Sequence, residues 1–122
     1  MEKSINKSKQ LEQDLLDFAV AVIEYVDAQK LPSHLAEQVI RSATSIGANY
    51  AEALNASSKT DFRSKVYIAK KETAETKYWL SVISKLKNAQ PNHVLLDQCQ
   101  KLLTIFQKTV NTINVQGKTK DH

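Results

Sequence analysis

The chain has 122 residues, a formal charge of +4, 42% hydrophobic residues, and only two glycines and two prolines. That is one domain with enough apolar content for a core, which excludes a disordered polar tail, and it has too few turn formers for an all-β fold. The single cysteine, Cys99, excludes an intrachain disulfide, and no apolar run approaches the roughly 18 residues of a membrane span, so a cytoplasmic protein is expected.

The first helix is predicted over 4–29. Leu11, Leu15, Phe18, Val22 and Val26 fall at spacings of four, three, four and four, which is one helical face. Leu31-Pro32-Ser33 breaks the pattern, because proline disfavours helix at the preceding residue, and Ser33 is expected to cap the next helix. The second helix, 34–56, buries Leu35, Val39, Ala43, Ile46, Tyr50 and Leu54. Ser58 and Asp61 have capping-box spacing and open the third helix, 61–87. There Phe62, Val66, Ala69, Thr73, Thr76, Leu80 and Ile83 keep a strict 4-3 repeat, which suits left-handed, coiled-coil-like packing. A turn through Asn88–Asn92 leads to the fourth helix, 92–115, with Leu95, Cys99, Leu102, Phe106 and Ile113 on one face. The tail, 117–122, is expected to be disordered. Helices of this length span roughly 33–40 Å, and short connections make neighbours antiparallel. The expected fold is therefore an all-α, up-down-up-down, left-handed four-helix bundle in one domain.

The central pair of helices is unusual. Residues 42–51 are mostly small, and Gly47 costs about 1 kcal/mol relative to alanine inside a helix. Either another helix comes close there or the helix is simply weak. Gln38, Arg41, Ser45, Asn49 and Glu52 form a second, polar stripe nearly opposite the apolar one. It is either a solvated face or a partly buried contact.

On the third helix Glu72 falls inside the apolar sector near Lys65, Trp79 and Ile83, with Glu75 at its edge. A carboxylate there must be paired, hydrogen-bonded or protonated. Lys65 is seven residues away along the helix, too far for pairing. Arg41, Asn49 or another subunit supplies the expected partner. General acid–base work by Glu72 and Glu75 is the competing reading, but no nucleophile, metal set or phosphate loop accompanies them. A di-metal bundle needs Glu-x-x-His, whereas here the pair is Glu72-x-x-Glu75. His34, His93 and His122 sit at element ends, so no metal or cofactor is expected. Cys99 lies on an apolar stripe and reads as a core thiol.

Arg63, Lys70 and Lys77 recur every seven residues on the side of the third helix away from Glu72. Antiparallel topology also gathers Lys3, Lys7, Lys9, Lys59, Arg63, Lys65, Lys118 and Lys120 at one pole, partly offset by Glu2, Glu12, Glu52, Asp61 and Asp121. Such a surface either binds phosphates or merely keeps the protein soluble. Lys59, Arg63, Lys70 and Lys77 are the candidate nucleic-acid contacts.

Three segments carry a resemblance: Arg41-Ser42-x-x-Ser45-Ile46-Gly47-Ala48-Asn49-x-Ala51-Glu52-Ala53, Ser58-Lys59-x-Asp61-Phe62-x-x-Lys65, and Ile68-Ala69-x-Lys71-Glu72-x-x-Glu75-x-x-Tyr78-Trp79-Leu80. Together they resemble the bacterial four-helix bundle proteins first noted in intervening sequences of 23S ribosomal RNA genes. The resemblance covers the two central helices densely and the flanking helices by pattern only. It implies a left-handed up-and-down bundle and a homopentameric ring, in which the small-residue run and the polar stripe (Arg41, Ser45, Gly47, Asn49, Glu52, with Lys65, Glu72, Glu75 and Trp79 facing it) become intersubunit contacts. It supplies no catalytic residues. Related accessory proteins of diversity-generating retroelements form similar basic barrels and bind a reverse transcriptase and nucleic acid. The expected function is thus a non-enzymatic accessory or scaffold protein whose partners are copies of itself and RNA or DNA. A protein-only scaffold and a reverse-transcriptase subunit are the alternatives.

Overall fold

The computed structural model describes residues 2–120, and the side chains of residues 6–114. Four helices follow one another: α1 (Glu2–Ala28), α2 (Ser33–Leu54), α3 (Lys59–Ser84) and α4 (His93–Lys120). Each packs on the next. Arg41 of α2 meets Glu72 and Glu75 of α3, while Glu52, further along α2, meets Lys65, earlier on α3. One number rises as the other falls, so the pair is antiparallel. The same holds for α3 and α4, joined by Lys77 to Gln100 and Tyr67 to Asn114. The bundle closes sparsely where α4 returns to α1, and α1 and α3 stand on the diagonal, their backbones not approaching closely among the described residues. A shallow groove lined by Asp14, Asp17, Phe18, Lys101 and Ile105 marks that loose seam.

Local chemistry fixes the helix starts. Ser58 Oγ accepts the Asp61 N–H at 3.0 Å, and the Asp61 carboxylate accepts the Ser57 N–H at 3.4 Å, one residue earlier than an ordinary capping box. Asn92 Oδ1 accepts the Leu95 N–H at 3.0 Å to start α4. The expectation for Ser33 fails. Pro32, at φ −55° and ψ 137°, is itself the N-cap and offers no side-chain bond. Its carbonyl already accepts from Leu35 and Ala36, which places Ser33 inside the first turn. At the other end α4 continues through Gly117 to Lys120, where a tail was expected. One glycine costs a helix only about 1 kcal/mol, and no proline follows to stop it. Residues 121 and 122 lie outside the described residues.

The expected stripes supply most of the core; on α2 the expected Leu54 is 37% exposed and Ala53 is buried instead. Leu15, Phe18, Val22 and Val26 are buried on α1, and Phe106 meets Tyr50 edge to face with ring centroids 6.0 Å apart. Two of the repeat positions on α3 are threonines, and both are fully buried. Their hydroxyls donate four residues back, Thr73 to the Ala69 carbonyl at 2.7 Å and Thr76 to that of Glu72 at 2.8 Å, so neither enters the core unsatisfied.

Cys99 is a core thiol. It is fully buried and donates to the Thr73 carbonyl at 3.4 Å. Burial pushes it up to about 12, against a smaller opposing pull from the Lys77 charge. Native protein at pH 8 is therefore expected to react with a thiol reagent only as fast as it unfolds. A labelling rate insensitive to mild urea would show that the thiol is reached without unfolding. The sign for stability follows from the raised value. The contribution is present below the unfolded thiol's pKa of roughly 8.5 and is lost as pH climbs toward 12.

Candidate functional site

The α2–α3 seam gathers most of the polar residues singled out in the sequence. The Arg41 guanidinium lies 3.3 Å from the Glu72 carboxylate and also bonds the Glu75 carboxylate. Glu75 in turn accepts the Trp79 indole N–H at 3.1 Å. The Glu72 side chain is only 19% exposed, so the pairing satisfies a carboxylate that would otherwise be stranded beside the core. Arg41 is thus the partner, and not Asn49. Further along, Lys65 Nζ lies 2.9 Å from Glu52 Oε2. That hydrogen bond and the Glu52 charge raise Lys65 above its ordinary value.

The remaining stripe members turn inward on their own helix. Ser45 Oγ donates to the Arg41 carbonyl at 2.7 Å, and Asn49 Nδ2 to the Ser45 carbonyl at 2.8 Å. Gly47 faces α1, where an added Cβ would stand 3.4 Å from Leu15 Cβ. Within one chain, the stripe and the small-residue run thus already make contacts, along α2 itself and against α1. A helical wheel gives the direction of a side chain but not which neighbouring helix lies there.

Beneath the ion pairs lies a contact the sequence reading missed. Ser42 and Thr76, both fully buried, join α2 to α3 through their hydroxyls at 2.9 Å. The available signal was two small polar residues at core positions of facing helices. Among the described residues no group of three or more His, Cys, Asp or Glu side chains gathers at one point, and His34 and His93 are exposed.

The opposite flank of α3 carries the cations. Lys77 reaches across to α4 and donates to Gln100 Oε1 at 2.6 Å. Between Arg63 and Lys70, Tyr67 donates to Asn114 Oδ1 at 2.9 Å. No carboxylate lies within ion-pair distance of Lys59, Arg63, Lys70 or Lys77 among the described residues. Charge on α3 is therefore segregated. Glu72 and Glu75 point to α2 and are held by Arg41, Lys65 pairs with Glu52 on that same side, and the Arg63, Lys70 and Lys77 row lines the α4 side with no carboxylate partner among the described residues. Seven helical residues rise about 10.5 Å, so Arg63, Lys70 and Lys77 form a straight row roughly 21 Å long. Of the wider basic pole, Lys3, Lys118 and Lys120 have side chains outside the described residues, and Lys65 is taken by Glu52.

The family described as 23S rRNA-intervening sequence protein matches residues 7–111. A crystal structure of a protein with unknown function from the S23 ribosomal protein family, from Bacteroides thetaiotaomicron VPI-5482, is similar at 27% sequence identity and a TM-score of 0.76. The match covers 86% of this chain and 98% of that one. No curated protein matches the chain.

Proposed function

The chain belongs to the 23S rRNA-intervening sequence protein family, and from that premise we propose that it is a non-enzymatic, homo-oligomeric protein of the cytoplasm that holds nucleic acid along the cation row of α3. The observation that carries this reading is the segregation of charge on α3. Evenly spaced cations without carboxylate partners keep their full charge for an outside anion. The family description, which names intervening sequences of 23S rRNA, supports a nucleic-acid role. A pentameric ring, as the sequence resemblance implies, repeats the row several times around one axis, and a charge of +4 per chain then suffices to hold a phosphate backbone.

The test is a gel-shift titration at low salt with single- and double-stranded RNA and DNA. The native protein is expected to bind with little sequence preference and with an affinity that falls steeply as salt rises. Combined Lys59→Glu, Arg63→Glu and Lys70→Glu should abolish binding while the circular dichroism spectrum is unchanged. Each single neutral substitution should lower the salt slope by about one unit. A native protein that binds no probe below roughly 100 μM, the weak end of non-specific binding, is no nucleic-acid protein. The second reading, a scaffold for proteins alone, then takes its place. It is favoured by the exposure of Leu16, Val20 and Tyr78.

A further inference from the structure

Two exposed strips, on diagonally opposite helices, complement each other. On α1, Glu12, Leu16, Val20 and Glu24 follow at intervals of four and so form one row. Leu16 is 58% exposed and Val20 47%, and both carboxylates are exposed. Beside Leu16 runs a groove whose α2 wall is Thr44, Gly47, Ala48 and Ala51, all small, with Lys9 the one cation lining it. From Gln10 to Ala28, α1 carries five carboxylates and no lysine or arginine.

Lys71 and Tyr78 on α3 and Lys85, the C-cap of that helix, follow at intervals of seven, and all three are exposed. Tyr78 is 62% exposed, and its ring is set by an edge contact with Trp79 at 5.2 Å between centroids. Among the described residues neither lysine has a carboxylate partner, and neither Glu12 nor Glu24 has a cation partner.

We propose that the Glu12–Leu16–Val20–Glu24 strip of one copy docks against the Lys71–Tyr78–Lys85 strip of a second copy. The carboxylates of the first strip are about 18 Å apart along the helix and the lysines of the second about 21 Å, so both ends pair together. Between them the tyrosine, a residue type that anchors interfaces, meets Leu16, Val20 and a groove of small side chains. Charge complementarity points to a second copy as the occupant. Because α1 and α3 are diagonal in the bundle, the strips cannot meet within one chain. The contact is therefore head to tail, the kind that closes into a ring or runs on as a filament. This rests on the oligomeric part of the proposed function and leaves the Arg63–Lys70–Lys77 row on another flank of α3.

The test uses the full chain and two variants, Leu16→Glu and Tyr78→Glu, both at exposed positions where folding tolerates change. Light scattering at micromolar concentration should give a multi-subunit mass for the native protein and a monomer mass for each variant. An equimolar mixture should give dimers and nothing larger, since each variant keeps the strip its companion lacks. A native monomer overturns both this contact and the oligomeric reading. A native oligomer whose mass survives either substitution overturns the contact alone. Two monomeric variants that do not combine overturn the head-to-tail pairing, because the two strips left intact then fail to recognise each other. Should either glutamate variant lose its helical spectrum, Leu16→Ser and Tyr78→Ser replace the pair, with the same outcomes expected.

Discussion

Gly47→Leu is expected to destabilise the bundle by about 3 kcal/mol, the upper end of the range for overpacking, whereas Gly47→Ala should stay within about 1 kcal/mol of the native protein. The difference rests on one distance. A Cβ at position 47 stands 3.4 Å from Leu15 Cβ and 3.9 Å from the Leu15 backbone carbon, which is ordinary contact, so alanine fits and gains the helix propensity that glycine lacks. The branches of a leucine beyond that Cβ crowd the buried Leu15 or must displace α1 side chains along the groove that Gly47 lines. Urea unfolding followed by circular dichroism separates the two. Equal midpoints for glycine and leucine would mean that α1 and α2 are not in close contact there.

Arg41→Met is expected to cost about 2 kcal/mol. Removing one partner of a fully buried pair costs roughly 3–5 kcal/mol. Here the arginine side chain is 47% exposed, against 19% for Glu72 and 37% for Glu75, so water screens part of the interaction. The same substitution in a Glu72→Gln, Glu75→Gln background should cost well under half as much, because no stranded carboxylate remains. An equal cost in both backgrounds would show that Arg41 acts through its aliphatic stem alone. Nucleic-acid binding should not change in either variant, since the pair faces α2 and the cation row faces α4.

The helical faces were legible because the 4-3 spacing of Leu15, Phe18, Val22 and Val26 admits one periodicity and all four are buried. The Arg41–Glu72 pairing was legible for a different reason. A carboxylate in an apolar sector demands a cation, and few were within reach. The Ser42–Thr76 bond was not legible, because hydroxyls this short meet only when the register between two helices is known to within one residue. The pairing of Lys65 with Glu52 was not legible for a similar reason, as the periodicity of the polar stripe carried no information about which helix lay beside it. Tyr78 was read only as part of a motif. Its place midway between Lys71 and Lys85 at seven-residue intervals was visible in the sequence, but its 62% exposure was not.

The sparse meeting of α1 with α4 bears on how the chain reaches this structure. The well-packed interfaces all join consecutive helices across connections of a few residues, so they form with little loop-closure entropy. Only the seam between the first and last helices requires distant parts of the chain to find each other, and it contributes least. Contacts of such short sequence separation favour fast folding. The α2–α3 hairpin, which carries the most extensive interface and its own ion pairs, is the natural nucleus on which the outer helices condense.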